Sequence, residues 1–261
     1  GKNQQIYGGS YIFVPNNEVF NVNSFTLCAY IYPTTPYVDV EGIEVGEQAI
    51  LSKWDAENET GYGLFVNSDG ELCLKIGHGK GKVEEFSTGK PLYRKVWYKV
   101  GASFDVNTGK IFVFQTPYVT HTNSGHGMSM LHPKEDTQGI YQGTSLMGGP
   151  AVNDCPILIA SSTLKSKSGR FLSGGHFNYL DQPHEIPIHT HKYNGKIERP
   201  KIANKALELH EIELLLSCQG IENIPNELKE VVIGAWNFNA NMTPNASSTK
   251  IFDDSLCKID G

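Results

Sequence analysis

The histidines of this 261-residue chain are unevenly distributed, and they are the first side chains to consider for chemistry. Seven of the nine lie between His121 and His191. A neutral imidazole binds metals readily, so the cluster is compatible with a metal site. The interpretation that we favour is that these imidazoles line polar loops and hydrogen-bond the backbone. The cluster therefore leaves open whether a metal is bound.

Residues 184–189 read HEIPIH, which is close to the helical zinc motif HExxH. Two ligands on one helix face need a spacing of four, but the second histidine comes one place too late and Pro187 interrupts a helix here. We therefore interpret this segment as extended chain. In an extended chain His189 and His191 project to the same side, which makes them candidates for a shared site.

No serine or cysteine lies in a motif typical of nucleophilic catalysis. Residues 143–149 read GTSLMGG and lack the Gly-x-Ser-x-Gly elbow of serine hydrolases. The five cysteines are odd in number, have no CxxC spacing, and two of them fall within strand patterns. We expect most of them to be reduced core residues, which favours the cytoplasm over secretion. No motif implies a cofactor.

Composition limits the function classes. The chain is 39% hydrophobic, with 27 glycines and 13 prolines, as expected for a turn-rich β protein with a substantial core. The formal net charge is -6, and no run of basic residues interleaved with aromatics is present, so nucleic acid is not an expected partner. No apolar run approaches the roughly 18 residues that would cross a bilayer, so we expect no membrane partner.

The elements that must position any site are predicted to be strands. Within residues 24–32 the apolar side chains of Phe25, Leu27, Ala29 and Ile31 alternate with the rest, which is strand periodicity. Asn-Ser-Asp-Gly at 67–70 and Asp-Val-Asn-Thr-Gly at 105–109 predict hairpin turns between strands. Further period-two segments are 10–14, 49–53, 62–67, 71–77, 97–105, 110–116 and 156–160.

One helix is predicted near the C-terminal end, at residues 208–217. Glu208 is placed as a cap with Glu211 three residues later, an apolar stripe follows, and Gly220 lies beyond the end. We expect this helix to pack on the edge of the strands. We further expect residues 1–230 to form one β-sandwich domain, and residues 231–261 to be a closing strand and tail or the start of another module.

The order of these motifs resembles the laminin-G-like members of the concanavalin A-like lectin and glucanase superfamily. The resemblance rests on SFTLCAYIYP at 24–33, QAILSKWD at 48–55, YGLFVN at 62–67, VWYKVGASFD at 96–105 and NGKIERPKIANKAL at 194–207. It implies an all-β fold, a concanavalin A-like jelly-roll β-sandwich of two antiparallel sheets. It does not by itself imply one activity, because this fold carries lectins, glycosidases, adhesion modules and spacers.

The glycosidases that this sequence resembles carry Glu-x-Asp-x-x-Glu on one strand, which presents the carboxylates on one face about 5 Å apart. That pattern is missing here, and the acidic groupings Glu84–Glu85 and Glu41 with Glu44 occur in turn-like sequence. We therefore expect a non-catalytic binding or accessory module, with carbohydrate as the expected ligand class. A structural spacer without any ligand remains a third reading.

The C-terminal tail carries a second resemblance. The order of helix, then AWNF at 235–238, then IFDDS at 251–255 resembles the lectin-like region of N,N-dimethylformamidase large-subunit-like proteins. This resemblance implies an alternative function. The chain would be the lectin-like portion of a larger amidohydrolase, and its partner would be a covalently linked catalytic domain.

Two irregular insertions, residues 117–154 and 161–192, interrupt the strand series. Long loops in a compact domain are often functional, and these two combine aromatic rings with polar groups, as a sugar site requires. We therefore predict a joint ligand site on these loops. The predicted ligand-binding residues are Tyr118, His176, Tyr179, His189 and His191.

Overall fold

The computed structural model describes residues 11–37, 45–118, 134–165, 187–238 and 251–261. Strands make up 46% of the structure and are arranged in two antiparallel sheets. Period-two alternation places one set of side chains between the sheets and the other set on the outer faces. The predicted all-β sandwich of two antiparallel sheets, consistent with a jelly roll, is therefore confirmed.

The larger sheet contains eight strands: β1 (Ile12–Val14), β3 (Gln48–Asp55), β4 (Thr60–Val66), β5 (Glu71–His78), β6 (Val83–Pro91), β10 (Ile157–Ile159), β11 (Ser162–Lys165) and β12 (Pro187–Thr190). Its main path runs β1-β10-β3-β4-β5-β6. Strand β11 pairs with β12 and also meets β3 in parallel at Asp55. The chain that follows β10 therefore lies beside β3.

The smaller sheet contains six strands: β2 (Phe25–Pro33), β7 (Tyr98–Phe104), β8 (Lys110–Pro117), β9 (Gly139–Thr144), β13 (Gly195–Ala203) and β14 (Val232–Ala235). Their order is β14-β13-β2-β7-β8-β9. The two predicted hairpins are confirmed, since β4 pairs with β5 and β7 pairs with β8. The first insertion contributes β9, which extends this sheet at one edge.

Strand β6 has no counterpart among the predicted strands, and its presence corrects the expectation that Glu84 and Glu85 occur in a turn. Glu84 and Glu85 lie within β6 rather than in a turn. Adjacent residues of a strand point to opposite faces, so the two carboxylates cannot form a pair. The strand escapes a search for alternation because Phe86 is its one buried large apolar residue.

The core lies between the inner faces of the two sheets. At its centre the ring of Phe25 stacks on that of Tyr62 with centroids 4.6 Å apart, and Phe104 packs on Phe25 at 5.8 Å. The buried Tyr62 hydroxyl donates a hydrogen bond to the Phe20 carbonyl at 2.9 Å. This bond satisfies a polar group that would otherwise be costly to bury.

The predicted helix is present as α2 (Leu209–Ser217). Two further α-helices, α1 (Lys134–Thr137) and α3 (Asn226–Lys229), are short, and a 3-10 turn spans Glu18–Phe20. Glu208 and Glu211 form the expected capping box. The buried side chains of α2 pack with Cys28 and Phe114 on the outer face of the smaller sheet, so the helix covers a sheet face and not the edge as expected. In the described ranges, no helix has the length and apolarity needed to span a bilayer.

A buried lysine links β3 to the chain before β10. The Lys53 ammonium is almost fully buried and donates to Asn16 Oδ1 at 2.7 Å, to the Asn153 carbonyl at 2.9 Å and to the Cys155 carbonyl at 2.8 Å. Burial lowers the pKa of Lys53 to about 8. All three protons have acceptors, so this cation holds two distant segments together.

The C-terminal tail is anchored by one carboxylate. Asp253 is buried and pairs with Trp236 in an antiparallel bridge next to β14. Its Oδ1 accepts from the Ala235 amide at 2.9 Å and the Ser255 amide at 2.8 Å. Its Oδ2 accepts from the Ser255 hydroxyl at 2.6 Å and the Ile259 amide at 2.9 Å. Four donors on one carboxylate tie the tail to the smaller sheet.

We expect Asp253→Asn to destabilise the fold by about 3 kcal/mol, because an amide nitrogen would face donors that now meet a charged oxygen. Urea unfolding followed by tryptophan fluorescence measures the change in the free energy of unfolding. Asp254→Asn is the matched control, because its carboxylate is more exposed and accepts no such set of bonds. Equal stabilities for the two variants would contradict the anchoring role.

Candidate functional site

The outer face of the larger sheet carries a cluster of charged and polar side chains around Lys75. Leu64 and Leu74 pair across β4 and β5 and point into the core. Their neighbours Phe65 and Lys75 therefore point outward. Lys75 pairs with Glu85 on β6, so these two also share the outer face.

The Lys75 ammonium is the centre of this cluster. It contacts Glu47 Oε2 at 2.9 Å and Glu85 Oε1 at 3.0 Å. It also lies over the rings of Trp54 and Phe65, at 5.3 and 5.4 Å from their centroids. Burial acts to lower the pKa of Lys75, but the hydrogen bonds and charges of Glu47 and Glu85 outweigh it and raise that pKa above its ordinary value. Lys75 is therefore a permanent cation at neutral pH.

His191 reaches the same cluster from the chain that follows β12. Its Nδ1 lies 2.8 Å from Ser162 Oγ, and its Nε2 lies 4.0 Å from Glu47 Oε1. The Ala49 amide donates to the His191 carbonyl at 2.7 Å, and His191 has a positive φ of 51°. Burial lowers the pKa of His191, against the raising effect of Glu47. We call Glu47, Lys75, Glu85, Ser162 and His191 the Lys75 network.

The Lys75 network contains the residue types of a hydrolytic triad, but its geometry is not that of a working one. Ser162 is fully buried, so its hydroxyl is not presented to a substrate. The 4.0 Å between His191 and Glu47 exceeds a hydrogen bond, and Glu47 is already bound to Lys75. Glu85 is bound to the same ammonium. The arrangement satisfies charges within the sheet rather than leaving groups free for chemistry.

Buried thiols offer no nucleophile either. All five cysteines are free, and four of them are buried, which confirms the prediction of reduced core residues. Burial raises the pKa of Cys28 to about 11 and that of Cys73 to about 12. These thiols are therefore protonated at neutral pH, and a protonated thiol is a poor nucleophile.

A small cavity of about 10 Å³ lies beside the buried Lys53. It is lined by Asn21, Tyr62 and Asn153 among others, and the Asn21 Oδ1 atom is buried without a protein partner. This volume holds about one water molecule and is far smaller than the several hundred Å³ of a typical ligand pocket. We interpret the cavity as a hydration site for Asn21.

The structure describes three of the five residues of the predicted ligand site. His191 joins the Lys75 network, and His189 lies on β12 opposite Thr163. Tyr118 follows β8 in the other sheet, is 61% exposed, and shares no described contact with His191. His176 and Tyr179 lie outside the described residues. The joint site on the two insertions stays a prediction.

The Lys75 network was missed at the sequence level except for His191. Its five members come from five separate segments, and only the pairing of strands brings them together. One signal was available, because Lys75 occupies the middle of a strand whose other residues are largely apolar. A lysine in such a position needs a partner, and that need points to an acidic neighbour.

The pKa of His191 gives a pH-dependent prediction. Because burial holds this pKa below the ordinary 6.5, the unfolded chain binds the proton more readily, and His191 lowers stability as the pH falls below about 6.5. We expect His191→Asn to lose less thermal stability between pH 7.5 and 5 than the parent chain. Thermal unfolding over this pH range measures the effect.

His210→Asn is the matched control, because His210 is exposed on α2. The thermal stability of the His210→Asn variant should equal that of the parent chain at each pH. An unchanged pH profile for His191→Asn would show that the imidazole of His191 is not held neutral by burial.

Comparison with known proteins gives a family match for part of the chain. Residues 7–128 match the family described as the concanavalin A-like lectin/glucanases superfamily. A solved Bacteroides ovatus protein, to which carbohydrate binding is attributed, has the same fold with a TM-score of 0.55. It is 14% identical, and the alignment covers 96% of this chain and 54% of that one.

Two curated relatives are similar over nearly the whole chain. The N,N-dimethylformamidase beta subunit of an Alcaligenes species is 25% identical over 250 residues, and that of Paracoccus aminophilus is 26% identical over 249. Each alignment covers 94% of this chain but 28% of the relative, so the chain spans little more than a quarter of their length. Both resemblances predicted from the sequence are confirmed: residues 7–128 carry the concanavalin A-like signature, and the chain as a whole is similar to a region of N,N-dimethylformamidase beta subunits.

Proposed function

We propose that this chain is a non-catalytic, lectin-like module that acts as an accessory part of a larger N,N-dimethylformamidase-like polypeptide. One observation carries the proposal. Two relatives from different organisms embed the equivalent of almost the entire chain within a polypeptide more than three times longer. In this proposal the amide hydrolysis named for the relatives occurs in the remaining part of the polypeptide.

The chemistry of the described residues supports an accessory role. The two carboxylates of the Lys75 network that could act as acid or base are both bound to one ammonium. Its serine hydroxyl is buried, and the raised pKa values of the Cys28 and Cys73 thiols keep both protonated. Catalytic groups need exposure to a substrate and a free proton-transfer path, which these groups lack.

The first test separates the module from the activity. We expect the full-length polypeptide to release dimethylamine from N,N-dimethylformamide, and residues 1–261 expressed alone to release none. Lys75→Met in the full-length protein should leave kcat within about twofold if the network only supports the fold. Hydrolysis by residues 1–261 alone would overturn the proposal, as would a gene that ends at Gly261.

Carbohydrate binding is a second candidate function. It is favoured by the fold match to the Bacteroides ovatus protein, to which carbohydrate binding is attributed. The candidate residues are those predicted from the sequence: Tyr118, His176, Tyr179, His189 and His191. Tyr118 is an exposed aromatic residue, the type that commonly packs against sugars, and Lys99 lies 6.0 Å from the centroid of its ring.

For this candidate we expect a glycan array to identify a ligand, and Tyr118→Ala to weaken its binding by about tenfold through loss of ring contact. Isothermal titration calorimetry measures the affinity. His210→Ala is the control, because its side chain is exposed far along the sequence from both insertions. An array without any bound glycan would leave this candidate without support, and the accessory role would not be affected.

A further inference from the structure

The outer face of the smaller sheet carries a row of aromatic side chains that the Lys75 network does not involve. We call Tyr30, Tyr32, Trp97 and Tyr118 the aromatic strip. Tyr30 and Tyr32 lie on β2 and share a face because they are two residues apart. Trp97 and Tyr118 lie opposite each other, since the Tyr118 amide donates to the Trp97 carbonyl at 2.7 Å.

The rings of the strip pack against one another in pairs. Tyr30 and Tyr118 meet edge to face, with centroids 5.3 Å apart and planes at 76°. Tyr32 and Trp97 also lie 5.3 Å apart, with planes at 46°. Tyr30 is buried beneath this layer, whereas Tyr118 is 61% exposed. The strip is therefore a firmly packed surface and not a set of separate side chains.

Three cations lie over these rings. Arg199 lies 5.6 Å from the centroid of Tyr30, and Lys196 lies 5.4 Å from that of Tyr32. Lys99 lies 6.0 Å from Tyr118 and is within 3.7 Å of Glu213 on α2. Glu198 shares this face, because it pairs with Tyr30 across β13 and β2. The cations outnumber the carboxylates here, although the whole chain has a net charge of -6.

The backbone at Arg199 is strained. Strand β13 has a register shift between Glu198 and Lys201, and Arg199 within it has a positive φ of 50°. A non-glycine residue in this region is strained, because its Cβ atom comes too close to the following carbonyl oxygen. Bulges of this kind often redirect a side chain, and here the guanidinium is placed over Tyr30.

Helices cover another part of the same sheet face. Helix α2 packs its buried residues Ile212 and Leu215 with Cys28 and Phe114, and α3 adds Leu228. The aromatic strip thus continues a face that lies partly under a helical layer. A second layer placed on the strip would extend that covering.

We infer that the aromatic strip is a docking surface for a carboxylate-rich surface on the remaining part of the larger polypeptide. The inference rests on the proposed function, because the occupant is the part of the relatives that this chain does not span. Tyr, Trp and Arg are the residue types that dominate binding energy at protein interfaces. The excess of cations selects for a negatively charged partner surface.

A protein surface fits the strip better than a sugar does. Stacking of a pyranose needs an open aromatic face, whereas three of the four rings have a cation over them. Cations held over rings in this way remain able to pair with carboxylates from a partner. Oligosaccharide binding is therefore treated as an alternative outcome of the test.

Hydroxyl-radical footprinting with mass spectrometry tests this docking. We expect Tyr118 and Trp97 to be oxidised at least about threefold more slowly in the full-length polypeptide than in residues 1–261 alone, because docking would bury them. Leu146 is the internal control, because it is 91% exposed and lies after β9, away from the strip. Its oxidation should change little.

Variants separate docking from general protection. Lys99→Glu with Arg199→Glu in the full-length polypeptide should restore oxidation of Tyr118 to the level of the isolated chain, because like charges would then face the partner. Tyr118→Ser leaves the charges intact and removes one ring of the strip. This variant should restore oxidation of Trp97. Lys110→Glu is the matched control at an exposed position of β8, and it should leave the protection in place.

Each outcome has one meaning. Equal oxidation of Tyr118 in the full-length polypeptide and in residues 1–261 would overturn the inference. So would a glycan that protects Tyr118 from oxidation and does not bind the Tyr118→Ser variant. Protection of the strip in a full-length polypeptide that does not hydrolyse N,N-dimethylformamide would support docking while the proposed function failed. Hydrolysis of N,N-dimethylformamide without protection of the strip would support the proposed function and contradict docking.

Discussion

The packing of the two inner sheet faces against each other is the constraint on which the rest of the structure depends. The stacked rings of Phe25 and Tyr62 lie at its centre, and the hydrogen bond from Tyr62 to the Phe20 carbonyl fixes the position of the ring. Because strand side chains alternate, placing Phe25 inside also places Tyr30 outside, and placing Leu74 inside places Lys75 outside. The composition of both outer faces thus follows from the choice of core residues. A shift of one residue in register would bury the lysine and expose the leucine.

The cationic side chains on the two outer faces are compensated in different ways. On the larger sheet, two carboxylates and two aromatic rings surround one ammonium, so the charge is neutralised within the sheet. On the smaller sheet, three cations lie over aromatic rings, and the described carboxylates near them are fewer. A neutralised network gains little from contact with a charged partner, whereas a surface with an excess of cations gains from contact with a negatively charged one. This contrast is why we assign docking to the smaller sheet.

The sequence predicts this fold where one side of a strand is clearly apolar, as in β2, β5 and β7, and where local caps fix a helix, as Glu208 and Glu211 do for α2. It does not predict β6, because an edge strand with one side open to solvent has no need of alternating apolar residues. Nor does it predict that α2 lies on a sheet face, which depends on packing with Phe114. The Lys75 network combines segments more than 100 residues apart, and residue spacing carries no information on such pairing.

Two strained residues deliver charged or polar side chains to the outer faces. His191 and Arg199 both have positive φ, where glycine would relieve about 1 kcal/mol of strain. If the backbone turn alone mattered, glycine would be the better residue at each position. Instead, each side chain makes a specific contact, His191 with Ser162 and Arg199 with the ring of Tyr30. Strain is tolerated where a side chain contributes something that the fold does not otherwise require. For His191 that contribution is satisfied inside the molecule. The Arg199 guanidinium lies over the ring of the buried Tyr30, at the base of the aromatic strip, and docking of a partner on the strip would account for its strain.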